Sequence, residues 1–245
     1  MLDNRFNISV FDTHEQLALA AAERFVECAR EFHGTPGRFS VALAGGNTPR
    51  RVYELLASER FKDRIAWSQV QLFFGDERSV PSDHPDSNYR MAYESLISEV
   101  PIPANSVHRI IGEGNADLNA QAYEDQLRAF FAGLSWPRFE LVLLGMGEDG
   151  HTASLFPNSA ALREMSRWVV ATRNEQSGQD RITLTVPVFN HARRVMFLIT
   201  GKKKAQRLKE VLRPEPGSER FPIQAIAPVA GMLEWLVDTE AASLL

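Results

Sequence analysis

Apolar positions fall along this chain in two alternating rhythms. Compact runs of Val, Leu, Ile, Phe and Ala near Ile8 to Phe11, Phe39 to Ala44, Val70 to Phe74, Leu141 to Leu144, Trp168 to Ala171 and Val195 to Ile199 read as strands, with Arg181 to Val186 a further candidate. Between them, apolar residues recur with helical spacing over Thr13 to Phe32, Pro49 to Leu56, Ser87 to Ser98, Asn119 to Phe131 and Lys203 to Val211. Continuous apolar strands alternating with amphipathic helices predict an α/β fold: a Rossmann-like open, mostly parallel sheet with helices on both faces. No internal repeat, low-complexity tract or long linker interrupts the pattern, so residues 1–245 are expected to form a single domain, with "RPEPGSERFP" as its most evident loop.

Composition narrows the picture. At 245 residues and 44% apolar the chain can bury a sizeable core, and a formal net charge of −4 with 24% charged residues gives no basic footprint for nucleic acid. The N-terminal "MLDNRFNISVFD" lacks the apolar core of a signal peptide, and no segment approaches the roughly 20 apolar residues that span a bilayer. A cytoplasmic protein acting away from membranes, as a monomer or small homo-oligomer, is the expectation. The single cysteine, Cys28, sits in a helical pattern, where it packs as a small hydrophobe and has no catalytic role.

Ligands of open sheets sit beyond the carboxyl ends of the strands, so the loops starting at Gly45, Gly75 and Gly145 should converge. The first, "VALAGGNTPRRVYELL", passes through Gly45 and Gly46 to Thr48, an expected N-cap, and Pro49, suited to the first helical position. Backbone N–H groups, the helix dipole and the close approach that glycine permits point to a phosphate site, although a ligand-free tight turn fits the same residues. It lacks the Gly-Lys-Ser/Thr of a nucleoside-triphosphate loop.

The second loop delivers Asp76, Glu77 and Arg78 from an apolar strand. A solvated charge cluster is one reading. In the other, Arg78 holds a carbonyl, carboxylate or phosphate oxygen and Asp76 binds hydroxyls or moves a proton. Ser87 and Asn88 are expected to cap the next helix.

The third loop lies in "LVLLGMGEDGHTASLFP". Its Gly145, Gly147 and Gly150 spell a dinucleotide-binding fingerprint, but Pro157 arrives too soon for a helix and no acidic residue stands at the ribose-binding distance. The chemical reading is stronger: Asp149 is spaced to fix the tautomer of His151, a group able to exchange a proton near neutral pH. Of the remaining histidines, His14 and His33 flank a helix, His84 lies in a Pro-rich loop, and His108 and His191 lack acidic neighbours. No Cys/His cluster or zinc-protease motif is present, so neither a metal nor another cofactor is expected. Lys202, Lys203 and Lys204 cannot all enter one pocket, but one can reach a phosphate near Gly45 to Thr48, and Arg181 is a second candidate cation.

Taken together, "LAGGNTP", "FFGDERSVPSDHPDSNY", "LVLLGMGEDGHTASLFP", "RITLT" and "GKKKA" closely resemble the 6-phosphogluconolactonase family, in order and spacing, from Phe39 to about Leu212. That resemblance implies a metal-independent hydrolase opening 6-phospho-D-glucono-1,5-lactone, a phosphorylated sugar lactone of the oxidative pentose phosphate pathway. It implies that Gly45, Gly46, Asn47 and Thr48 bind phosphate with Lys204 and Arg181, that Arg78 and Asp76 face the sugar, and that His151 activates water. Asn47 stands where many relatives carry a small hydroxyl residue, which leaves that contact to the backbone.

Two alternatives remain. Glucosamine-6-phosphate deaminases share the Gly-Gly-x-Thr-Pro and Asp-Gly-His segments, but carry a proton-transferring glutamate five residues after the histidine, where this chain has Phe156. A sugar-phosphate effector domain would need a DNA-binding module, for which the segment before the first strand leaves no room.

Overall fold

A computed structural model describes residues 7–32 and 39–245. His33 and the N-terminal Met1 to Phe6 lie outside the described residues. The elements are, in chain order, β1 (Asn7–Phe11), α1 (His14–Glu31), β2 (Phe39–Leu43), α2 (Asn47–Ala57), β3 (Val70–Phe74), β4 (Asp76–Arg78), α3 (Asn88–Ser95), α4 (Ala116–Phe130), β5 (Leu141–Leu144), β6 (Val169–Asn174), β7 (Gln179–Leu184), α5 (Val186–Asn190), β8 (Arg194–Ile199), α6 (Ala205–Leu212) and β9 (Met232–Asp238).

Six strands form a parallel sheet in the order β1-β9-β8-β5-β2-β3, with helices around it. Every residue of β2, β3 and β5 is buried, which is why these strands read as mainly apolar runs, broken only at Ser40 and Gln71, rather than as alternation. The core joins α1 (Leu17, Ala21, Phe25), the central strands, and aromatics such as Phe73, Phe139 and Phe197 in one hydrophobic cluster.

The segments at Trp168 and Arg181, expected beside the other strands, belong to a second sheet instead. There β6 and β7 pair antiparallel, and β7 pairs antiparallel with β4 in the order β4-β7-β6. The two sheets meet at Gly75. Its N–H donates to the Leu43 carbonyl of β2 at 2.9 Å, while its own carbonyl accepts from Leu184 N–H of β7 at 2.9 Å, so one residue belongs to both sheets.

Three elements escape the sequence pattern: β4, whose residues read as a loop, β9 and α5. The strand β9, "MLEWLVD", mixes exposed and buried positions before turning fully buried, and α5 is only five residues long. One expected helix cap also moves. α2 begins at Asn47 with Gly46, at φ +100°, as its N-cap, so Thr48 is inside the first turn and is not the cap, and Pro49 is not the first helical residue.

A buried carboxylate locks the small sheet to α4. Glu124, 4% exposed, accepts Trp168 N–H at 2.9 Å and Val169 N–H at 3.2 Å at the entry to β6. Its other oxygen accepts Arg128 Nη2 at 2.6 Å, and the Arg128 guanidinium lies 4.4 Å from the Trp168 ring centroid. Removing the carboxylate strands two buried donors, each costing on the order of 1–3 kcal/mol. Glu124→Ala is therefore expected to lower the unfolding free energy by roughly 3 kcal/mol, read by urea denaturation; a change within the error of the wild-type curve would show that this clamp carries no stability.

Candidate active site

The loop leaving β5 turns back on itself. Thr152 Oγ1 donates to the Gly145 carbonyl at 2.8 Å, Gly147 N–H to the His151 carbonyl at 2.8 Å, and Gly150 N–H to the Gly147 carbonyl at 3.1 Å. This folding carries His151 over Gly147 and sets its Nδ1 2.5 Å from Asp149 Oδ1, which also accepts the His151 backbone N–H at 3.1 Å.

The glycines of the apparent dinucleotide fingerprint serve this pair. A Cβ on Gly147 would overlap His151 Nδ1 and stand 2.6 Å from Asp149 Oδ1; Gly150 adopts φ +82°, and a Cβ there would press on Phe221 at 2.9 Å. After His151 the chain forms a short bridge between Thr152 and Leu155 rather than a helix. Partial burial pulls the Asp149 carboxyl upward, but its hydrogen bond to His151 and the histidine's charge outweigh this and hold it below the usual range. An ionised Asp149 fixes the Nδ1–H tautomer and leaves Nε2 as the basic nitrogen; among the described residues no protein group hydrogen-bonds Nε2.

The chain crossing Gly75 places Asp76, Glu77 and Arg78 on β4. Asp76, 7% exposed, lines the cleft; its Oδ2 accepts Ser154 Oγ–H at 2.6 Å and its Oδ1 accepts Asn88 Nδ2–H at 3.2 Å. Glu77 does not line the cleft. It is buried and accepts the N–H groups of Asn88 and Tyr89 at 2.7 and 2.8 Å and Ser87 Oγ–H at 3.0 Å, so it holds the start of α3. Burial raises its carboxyl despite these donors. Ser87 caps α3, accepting Arg90 N–H at 3.1 Å, whereas Asn88 does not cap: its side chain reaches back to Asp76.

Arg78 and Arg181 face one another across the β4–β7 register. Both Nε atoms are buried without a protein partner, while Arg78 Nη1 donates to the Asp86 carbonyl. Burial first, then repulsion from Arg78, lowers the Arg181 pKa. Both residues line the cleft, and paired guanidinium groups there suit oxygen atoms with partial or full negative charge.

The loop leaving β2 contributes Gly45 and Gly46 to the same cleft. Thr48 Oγ1 is 2.8 Å from Thr200 Oγ1, which joins the first turn of α2 to the end of β8. In the following turn Lys202 and Lys203 are exposed, and Lys204 lines the cleft. Burial lowers the Lys204 pKa, with Glu148 and Asp149 acting in the opposite sense.

The cleft encloses about 300 Å³, room for one phosphorylated sugar ring. It gathers His151, Asp76, Arg78, Gly45, Gly46, Arg181 and Lys204, with Asp149 behind His151. Asn47 and Thr48, expected in the same site, are not among its lining residues. Asn88, Phe156 and Asn174 line it as well. The local sequence around Asn88 signals only a cap, because nothing in it reports a contact made across the loop to β4. Among the described residues no group of His, Cys, Asp or Glu side chains is arranged to hold a metal ion, and no helix is long and apolar enough to cross a membrane.

Known proteins share both the sequence and this architecture. A 6-phosphogluconolactonase of Synechocystis sp. is 42% identical over 209 residues, covering 84% of each chain. A 6-phosphogluconolactonase of Haemophilus influenzae is 33% identical over 239 residues, covering 98% of this chain and all of the relative. The solved 6-phosphogluconolactonase of Trypanosoma brucei superposes with a TM-score of 0.87 at 30% identity, covering 98% of both chains. The family model for glucosamine-6-phosphate isomerases and 6-phosphogluconolactonases matches residues 12–235, through all the loops that build the cleft, and the chain belongs to that family.

Proposed function

We propose that this protein hydrolyses 6-phospho-D-glucono-1,5-lactone to 6-phospho-D-gluconate, the hydrolytic step of the oxidative pentose phosphate pathway, with residues 1–245 acting as one catalytic domain in the cytoplasm. The observation that carries the reading is the His151–Asp149 pair opening on a cleft that also holds Arg78, Arg181 and Lys204. Relatives named for this activity support it.

In this reading the phosphate rests on the backbone of Gly45 to Thr48 with Lys204 and Arg181, which places the lactone carbonyl toward His151. His151 Nε2 takes a proton from water as the water oxygen bonds to the carbonyl carbon, and ionised Asp149 stabilises the imidazolium that forms. Charge on the carbonyl oxygen is met by Arg78 or by backbone N–H groups near Gly147. The carbon to ring-oxygen bond then breaks, His151 returns its proton to the ring oxygen, and the new carboxylic acid releases its own proton to water. No step calls for a metal ion.

Phe156 favours hydrolysis over amino-sugar isomerisation. It packs beside His151 with ring centroids 5.0 Å apart and has no proton to transfer, at the position where the deaminases carry glutamate.

The test generates the lactone in situ, with a chelator present and an enzyme-free blank to account for spontaneous opening. Wild type is expected to exceed the blank with or without chelator, and His151→Ala to lower kcat by roughly 10² to 10⁴ while KM stays within a few-fold; a wild-type rate equal to the blank would refute the reading. Gly147→Ala forces His151 and Asp149 apart and is expected to cost roughly a hundredfold in kcat with the urea midpoint little changed. Full activity in that variant would mean that the observed contact between the pair is dispensable.

A further inference from the structure

Two loops that the proposed reaction treats separately meet at one carboxylate. Ser154 follows His151 by three residues on the β5 loop and has no exposed surface. Its hydroxyl donates to Asp76 Oδ2 at 2.6 Å, and its N–H reaches toward Thr183 Oγ1 of β7 at 3.4 Å. From the other side Asn88 Nδ2 donates to Asp76 Oδ1 at 3.2 Å and to the Asp76 carbonyl at 2.9 Å. Asn88 also fills the space above Gly45, where a Cβ would overlap its Oδ1.

A carboxylate offers about four lone-pair directions. Here two buried donors, one on each oxygen, take one direction apiece and fix the plane of the group, and the remaining directions belong to the cleft that Asp76 lines. A carboxylate held in this way accepts a polyol hydroxyl without first having to be ordered. A hydroxyl donating to a charged acceptor is also among the stronger hydrogen bonds a serine can make.

We propose that Ser154 is a positioning residue of the active site: by holding Asp76 Oδ2 it aims Asp76 at a ring hydroxyl of the phosphorylated lactone, in register with His151 on the same loop. The inference rests on the lactone reading of the cleft. Ser154 touches neither substrate nor water; it acts through Asp76, and Asn88 extends the same brace to the phosphate loop at Gly45.

Steady-state kinetics of wild type, Ser154→Ala, Ser154→Cys, Asp76→Ala and the Ser154→Ala/Asp76→Ala double variant test it. Ser154→Ala is expected to raise KM by roughly tenfold or more, the scale of a lost charge-assisted hydrogen bond, with kcat within about threefold because the His151–Asp149 pair is untouched. Ser154→Cys, whose thiol donates weakly, should fall between the two. In the Asp76→Ala background the serine change should add less than about twofold, since its partner is gone. A fall in kcat at unchanged KM, or the same loss with and without Asp76, would overturn the proposal. If Ser154→Ala does not fold, Ser154→Cys decides, a wild-type KM counting against it. A wild-type rate at the blank level removes the lactone reading and this inference together, whereas a normal wild type with an unaltered Ser154→Ala removes this inference alone.

Discussion

The structure turns on Gly75. Its amide closes the ladder to β2 and its carbonyl opens the ladder to β7, so the chain passes from a parallel sheet into an antiparallel one within a single residue. The junction is made by backbone groups alone: a Cβ at this position would meet only ordinary contacts, 3.4 Å from the Leu43 carbonyl and 3.7 Å from Phe189. Because no loop intervenes, Asp76 and Arg78 emerge at the carboxyl edge of the main sheet with strand geometry rather than loop freedom, and β7 brings Arg181 opposite Arg78. The loops expected to converge at this edge do meet in one cleft, and the second sheet adds Asp76, Arg78, Asn174 and Arg181 to its lining.

The charged groups divide sharply by task. Glu77 and Glu124 are buried acids whose oxygens are spent on backbone N–H groups, one holding the start of α3 and the other the start of β6. They fix where the elements lie. Arg78 and Arg181 do the reverse, standing side by side with unsatisfied Nε atoms and mutual repulsion. Such an arrangement costs stability. Asp149 lies between these extremes, since its charge is sustained by the histidine it orients.

The parallel core is legible in the sequence because β2, β3 and β5 are buried on both faces, and the loop chemistry is legible because His151 and Asp149 lie two residues apart. Both are local signals. The features that stay hidden are relational. The sheet to which β6 and β7 belong depends on the pairing of β7 with β4, which lies about a hundred residues earlier in the chain, and the contacts of Asn88 with Asp76 and of Ser154 with Asp76 span 12 and 78 residues. Thr48 carries the composition of a cap, but the left-handed conformation of Gly46 starts the helix earlier. The three lysines are indistinguishable by charge and are separated only by the turn that faces Lys204 inward.

The order of strands also bears on how the chain is made. β9 is the last strand in sequence, yet it lies inside the sheet, between β1 and β8. During synthesis β1 therefore waits for a partner that the ribosome delivers more than 200 residues later. Until then β8, with Val195 to Ile199 buried in the finished sheet, presents an apolar edge with unpaired amides. Every residue of the cleft has emerged by that stage, but the floor beneath Thr200 and Lys204 has no outer neighbour. Assembly of the cleft end thus depends on β9, and the interval before it arrives is when the nascent chain is most open to pairing with another copy or to capture by a chaperone.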